Sequence, residues 1–123
     1  MSDKILFVDN EPEIIETFKF VIERSLPDYN FEYCESGYEA MQLIEKEVPS
    51  LVLSDYRMES GDGGSLAHFC RDKNIPCVIL TGYSPPEVEP YLPEGTKVVG
   101  KTDLLKSDSL KMLVFELLKK QAS

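Results

Sequence analysis

Residues 51–55 read Leu-Val-Leu-Ser-Asp and give the clearest single indication of the fold. Its apolar run is continuous rather than alternating, which is typical of a strand covered by helices on both faces. The run ends at the polar pair Ser54-Asp55, and glycines follow at positions 61, 63 and 64, which predicts a loop there. The stretch therefore predicts a buried strand that delivers Asp55 to one edge of a sheet.

Similar apolar runs lie on both sides of this stretch and alternate with amphipathic segments. We expect strands at Ile5–Val8, Phe31–Cys34, Leu51–Leu53, Cys77–Leu80 and Val98–Val99. We expect helices at Glu11–Ser25, Ser36–Glu47, Ser65–Asp72 and Ser107–Lys119. Pro12 suits the first turn of the first helix, and Ser36 with Glu39 forms a capping box at the second. The alternation predicts a flavodoxin-like (βα)5 three-layer α/β sandwich, with a parallel five-stranded sheet of order 2-1-3-4-5.

The alternating pattern is interrupted between Ser84 and Pro93. Four prolines fall in this segment, so we expect an atypical Pro-rich region in place of a regular fourth helix. The sequence shows no internal repeat, low-complexity tract or linker. We therefore expect residues 1–123 to form a single domain.

Composition argues against several classes of protein. The chain has 123 residues, a formal net charge of −9 and no obvious basic face, which argues against direct nucleic-acid binding. No apolar run approaches the roughly 20 residues that span a bilayer, and Ile5–Val8 is too short for a signal peptide, so we expect a cytoplasmic protein without membrane insertion. Cys34, Cys70 and Cys77 are widely spaced and His68 is the single histidine, which favours buried, reduced thiols over a zinc site.

Polar residues follow four of the five predicted strands. Asp9 and Asn10 follow the first, Asp55 ends the third, Thr81 follows the fourth and Lys101 follows the fifth. Sites in such sheets form outside the carboxyl ends of the strands, where the winding reverses between strands 1 and 3. We therefore expect Asp9, Asn10 and Asp55 to converge, with Thr81 and Lys101 further along the same edge.

These residue types suit phosphoryl transfer. Neighbouring carboxylates repel each other, and a hard cation such as Mg²⁺ relieves that repulsion. Asp55 can act as a nucleophile that forms an acyl phosphate, while Lys101 and Thr81 stabilise the phosphoryl oxygens. Each residue also has an ordinary alternative: Asp9 as a helix cap, Thr81 as a turn residue and Lys101 as a solvated cation. Because matching chemistry occurs at four strand ends, we favour a shared phosphoryl-transfer site over these separate roles.

Four motifs, in this order and at suitable spacing, resemble the receiver domains of bacterial two-component response regulators over nearly the whole chain. They are Ile5–Glu11, Leu53–Met58 with Asp62-Gly63 behind it, Ile79–Gly82, and Lys101.

The resemblance implies that Asp55 accepts a phosphoryl group from a histidine kinase, a phosphotransfer protein or a small phosphodonor. It implies a divalent cation, Mg²⁺ or another such as Mn²⁺, held by Asp9, Asn10, Asp55 and the backbone carbonyl of Arg57. It assigns Thr81 and Lys101 to sensing the phosphoryl group. Such a domain is a signalling module, not an enzyme beyond self-catalysed phosphorylation and dephosphorylation, and it switches contacts with a downstream protein or a second copy of itself.

Some positions depart from the family pattern. Asn10 stands where the family usually has an acidic metal ligand, so one negative charge is missing. Thr102 stands where proline usually follows the lysine, often with a cis bond. A cis bond without proline costs roughly 3–4 kcal/mol, so we expect a trans bond or a reshaped loop that shifts Lys101. Val98 replaces an aromatic switch residue, for which Tyr83 is a candidate substitute, and the Pro-rich segment alters the usual output face.

Two other functions compete with the phosphoacceptor switch. A pseudo-receiver, a constitutive interaction module with a vestigial site, is favoured by Asn10, Thr102 and the proline cluster. A small phosphohydrolase is disfavoured because Arg57 stands two residues after Asp55, where a second acid is expected, and because the chain has no P-loop or dinucleotide-binding fingerprint.

Overall fold

In the computed structural model, a parallel sheet lies between two layers of helices. The structure describes residues 4–56, 63–82, 90, 92–106 and 108–122. The strands are β1 (Lys4–Val8), β2 (Asn30–Cys34), β3 (Leu51–Asp55), β4 (Cys77–Thr81) and β5 (Lys97–Gly100). The helices are α1 (Pro12–Ser25), α2 (Gly37–Lys46), α3 (Gly63–Asp72), α4 (Lys101–Leu104) and α5 (Ser109–Ala122). The five strands pair in parallel in the order β2-β1-β3-β4-β5, which confirms the predicted flavodoxin-like architecture.

Side chains of the central strands pack alternately into two cores, one on each face of the sheet. In β1, Ile5 and Phe7 pack into the core beneath α1 and α5, whereas Leu6 and Val8 pack into the core beneath α2 and α3. All five residues of β3 are buried. Because both faces of these strands are covered, their sequences are continuously apolar rather than alternating.

Two helix starts follow the predicted capping chemistry, the second only in part. Pro12 occupies the first turn of α1, where its missing N–H leaves no hydrogen bond unmade. At α2, the Ser36 hydroxyl oxygen accepts a 3.0 Å hydrogen bond from the Glu39 backbone N–H. The Glu39 carboxylate accepts a 3.0 Å bond from the N–H of Glu35, one residue before the N-cap, rather than from Ser36 as the predicted box requires.

Two elements near the site differ from the sequence-based expectation. Helix α3 begins at Gly63, so Gly63 and Gly64 lie in a helix and their assignment to a loop was wrong. Burial of Leu66 and Cys70 outweighs the poor helix propensity of glycine. Helix α4 was not predicted at all. The described residues contain no cis peptide bond, so the Lys101–Thr102 bond is trans, one of the two outcomes expected without proline.

Three further expectations concern the cysteines, the Pro-rich segment and the absence of a membrane-spanning helix. The three cysteines are free, with Cys34 and Cys70 buried and Cys77 partly buried. Most of the Pro-rich segment, like Tyr83, lies outside the described residues. In the described ranges, no helix has the length and apolarity needed to cross a bilayer.

Candidate functional site

Asp9 is placed by the end of β1. Its backbone N–H donates a 3.1 Å hydrogen bond to the carbonyl of Cys34, which prolongs the pairing of β1 with β2 by one residue. The side chain is fully buried. Its Oδ1 accepts a 2.9 Å hydrogen bond from the N–H of Glu11, the N-cap of α1. The ordinary role of ordering the helix start therefore uses one carboxylate oxygen, and Oδ2 remains for the site.

Asp55 is placed by the end of β3 and is 5% exposed. In the sheet register it lies beside Leu80 of β4, and the N–H of the next residue, Tyr56, donates a 3.1 Å hydrogen bond to the Leu80 carbonyl. The hydroxyl of buried Ser54 donates a 2.9 Å bond to the Asp55 carbonyl. Ser54 was not singled out from the sequence, although a hydroxyl at the end of an otherwise apolar strand was a usable signal.

Lys101, the first residue of α4, joins the two carboxylates. Its Nζ lies 3.0 Å from Asp9 Oδ2 and 2.9 Å from Asp55 Oδ1, with the lysine side chain 16% exposed. From the sequence, we expected Lys101 to lie further along the edge of the sheet than the two acids. The structure instead brings Asp9, Asp55 and Lys101 into one ion-paired cluster.

The electrostatics of this cluster follow from its burial. Burial raises the pKa of Asp55, and the nearby Asp9 charge adds to the rise, whereas the hydrogen bond and positive charge of Lys101 act against it. Burial by itself lowers the pKa of Lys101, but its contacts with Asp55 and Asp9 outweigh this, and the net pKa is raised. The lysine therefore stays charged, and its charge favours the ionised form of Asp55.

One oxygen of the cluster has an incomplete set of partners. Asp9 Oδ2 is buried, and no N–H or O–H of the described residues donates a well-directed hydrogen bond to it, although the Lys101 ammonium is 3.0 Å away. The ion pair with Lys101 offsets the cost of burying this oxygen, and the lone pairs that lack a well-directed hydrogen bond fit coordination to a cation.

The donor set suits a hard divalent cation with few protein ligands. Asp9 and Asp55 would provide carboxylate oxygens, and Asn10, which follows Asp9 in the chain and is half-buried, carries a neutral carbonyl oxygen. Arg57, whose backbone carbonyl was expected as a further ligand, lies outside the described residues. Within the described part of the chain, no group of three or more His, Cys, Asp or Glu side chains is placed to hold a metal. The residues therefore fit a cation that keeps waters or phosphate oxygens as its other ligands.

The remaining predicted residues lie at the β4–β5 end of the site. Thr81 is buried at the end of β4 and lies beside Gly100, the last residue of β5, which directly precedes Lys101. Val98, at the position expected for an aromatic switch, is half-buried and packs against the small core of Ala67, Ile79 and Leu92.

The family model of the response regulator receiver domain matches residues 5–106. None of the curated proteins searched by sequence matches the chain significantly.

Solved receiver domains share the fold over nearly the whole chain. The receiver domain of the Francisella response regulator 1452 is 26% identical, with a TM-score of 0.82 over 98% of this chain and 99% of that one. The signal receiver domain of a signal transduction histidine kinase from Syntrophus aciditrophicus is 28% identical, with a TM-score of 0.80 over 97% and 92% of the two chains. That of an HD domain-containing protein from Pseudomonas fluorescens Pf-5 is 20% identical, with a TM-score of 0.82 over 98% and 90%, and supports the fold alone. The family match spans most of the sequence, so the chain belongs to the response regulator receiver domain family.

Proposed function

We propose that Asp55 is the phosphoacceptor of a two-component signalling switch. Receiver domains of this family have a phosphoacceptor role in two-component signalling and are not classical enzymes. The observation that carries the assignment to Asp55 is the cluster at the carboxyl ends of β1 and β3, where buried Asp9 and Asp55 face a single ammonium group.

The proposed reaction is a direct transfer to the Asp55 carboxylate. One of its oxygens attacks phosphorus in a phosphohistidine or an acyl phosphate; a new O–P bond forms, and the P–N or P–O bond of the donor breaks with its electron pair leaving on the donor. Lys101, 2.9 Å from Asp55 in this state, neutralises charge on the phosphoryl oxygens, and the Thr81 hydroxyl is a donor to one of them. Mg²⁺ or Mn²⁺, held by Asp9, Asn10, Asp55 and the Arg57 carbonyl, would supply further charge neutralisation.

The proposed partners follow from the family. Receiver domains interact with histidine kinases and downstream effectors. For this chain we propose a histidine kinase or phosphotransfer protein as donor and a change in contacts with a downstream protein, or with a second copy of the chain, as output. The net charge of −9 supports a role without direct nucleic-acid binding. We further propose that residues 1–123 act as one receiver domain in the cytoplasm.

A mass measurement tests the assignment of Asp55. Wild-type protein treated with acetyl phosphate and Mg²⁺ is expected to gain the mass of one phosphoryl group, and Asp55→Ala is expected to gain none. Asp28→Ala removes an exposed acid outside the site and is the matched control, which should behave as wild type. A wild-type protein that stays unmodified, or an Asp55→Ala variant that is modified equally, would refute the proposal.

The pseudo-receiver is a second candidate, supported by one feature of the site. Lys101 already pairs with both carboxylates and offsets one of their two negative charges, and Asn10 withholds a further charge that would attract a cation, so the attraction of the cluster for a metal is weakened. Titration with Mg²⁺ and beryllofluoride, which mimics the phosphoryl group, separates the two. Shifts of backbone NMR signals around Asp55 and Thr81 support the phosphoacceptor, and unchanged spectra support the pseudo-receiver.

A further inference from the structure

The backbone around Lys101 is held in a way that the sequence did not reveal. On its N-terminal side, Gly100 ends β5 and lies beside Thr81 of β4. On its C-terminal side there is no rigid proline. The chain turns at once into α4, a helix of four residues that begins at Lys101.

A helix this short cannot hold its own shape. Isolated helices shorter than about 12 residues are marginal in water, because a single turn fixes several residues for few hydrogen bonds. At the end of α4, the N–H groups of Leu105 and Lys106 make 3.2 Å bonds to Thr102 and Asp103. Thr102 and Asp103 themselves are exposed to solvent. The turn therefore depends on a contact with the rest of the molecule.

That contact is made by Leu104. It is the buried residue of α4, 4% exposed, and it packs into the core beneath α1 and α5 together with Leu110 and Leu113. Residues three apart in a helix lie on the same face. With Leu104 turned into the core, Lys101 is turned inward as well, and its Nζ reaches Asp9 and Asp55.

We propose that Leu104 is the positioning residue for Lys101: by anchoring α4 in the core, it holds the ammonium over both carboxylates and takes the part that a rigid residue after the lysine would otherwise play. The consequence for phosphorylation rests on the proposed function, whereas the effect on the ion pairs does not.

The test compares two leucine truncations in the same core. Leu104→Ala removes the anchor of α4, and Leu110→Ala removes an equally buried side chain of α5. Urea denaturation first tests whether each variant is folded. The first readout is the ¹⁵N resonance of the Lys101 ammonium in lysine-labelled protein, assigned by its loss in Lys101→Met. It should keep its wild-type position in Leu110→Ala and in the conservative Leu104→Met, and move to the position of exposed lysines in Leu104→Ala.

The second readout is the initial rate of modification by acetyl phosphate. A misplacement of about 1 Å can cost up to about a hundredfold in rate, so we expect Leu104→Ala to slow the reaction at least about tenfold and Leu110→Ala less than about twofold. An unmoved ammonium resonance in Leu104→Ala, or an equal displacement in Leu110→Ala, would overturn the inference. If Leu104→Ala does not fold, the smaller truncation Leu104→Val is compared with Leu110→Val by the same readouts. If wild-type protein takes no phosphoryl group, the proposed function fails while the ammonium resonance still decides this inference.

Discussion

β3 and β5 each lead into a residue of the candidate site, but they are held in different ways. β3 lies between β1 and β4, and all five of its residues are buried. β5 is an edge strand of four residues, with Lys97 exposed and the other three half-buried. Asp55 is thus fixed by the middle of the sheet, whereas Lys101 is fixed by β5 pairing on one side and a single anchored turn on the other. The comparison indicates a rigid carboxylate half and a lysine half whose geometry depends on few contacts.

The largest expected effect is a loss of stability when a side chain of the central strand is truncated. Comparing it with a truncation in the edge strand tests the contrast. Leu53→Ala in β3 removes a fully buried side chain packed between helices and sheet, and should lower the free energy of unfolding by about 2–5 kcal/mol. Val99→Ala in β5, where the side chain is only partly buried, should cost about 1 kcal/mol. Urea denaturation measures both.

Equal losses in the two variants would contradict the contrast between the strands. A folded Val99→Ala protein that keeps the Lys101 ion pairs would in turn show that α4, rather than β5 packing, holds the lysine.

The same contrast explains how much could be predicted from the sequence. β3 was predictable because burial on both faces leaves a continuous apolar run, a pattern that depends on the residues themselves. Helix α4 was not, since the four residues Lys-Thr-Asp-Leu are too few to show a helical period and acquire their conformation from the burial of Leu104.

The same difference separates the part of the candidate site that could be predicted from the part that could not. The convergence of Asp9 and Asp55 was expected, because parallel strands bring their carboxyl ends to one edge and the strand order fixes which ends are neighbours. The contact of Lys101 with Asp9 was not expected, because the reach of a long side chain depends on the direction of the turn that carries it. Sequence patterns specify strand ends well and side-chain directions in short turns poorly.

An intermediate loss of stability is expected from Lys101→Met, which removes the ion pairs that join Lys101 to the two carboxylates. Loss of the ammonium leaves two buried carboxylates without a counter-charge, and we expect a loss of about 1–3 kcal/mol near pH 7. The pKa of Asp55 is already raised above 3.8, so its contribution to stability is fully present below that value and is lost as pH rises through the folded pKa. Lys101→Met removes the group that opposes the rise, so this loss becomes larger and extends to higher pH.

The stability gap between wild type and Lys101→Met should therefore be small in acid and widen toward neutral pH. Urea denaturation at a series of pH values measures it, and Asp55→Asn in the Lys101→Met background should narrow the gap by removing one of the unpaired charges. A gap of the same size at all pH values would show that Lys101 contributes packing rather than charge neutralisation.

The smallest expected effect is a shift in the titration of Tyr33 in β2, the other edge strand. It tests whether partial burial at a sheet edge changes the pKa of a side chain. Burial raises the pKa of Tyr33 to about 12, and the charges of Glu23 and Glu16 add to the rise. Because the pKa of Tyr33 is higher in the folded than in the unfolded protein, its contribution to stability is complete below the ordinary pKa of 10.0. This contribution is lost as pH rises through about 12. Phenolate absorbance in a rapid pH-jump titration should show one late step, absent in Tyr33→Phe and retained in Tyr38→Phe, which alters an exposed tyrosine. A late step that survives Tyr33→Phe would belong to another tyrosine and would contradict the expectation that partial burial at this edge raises the pKa of Tyr33.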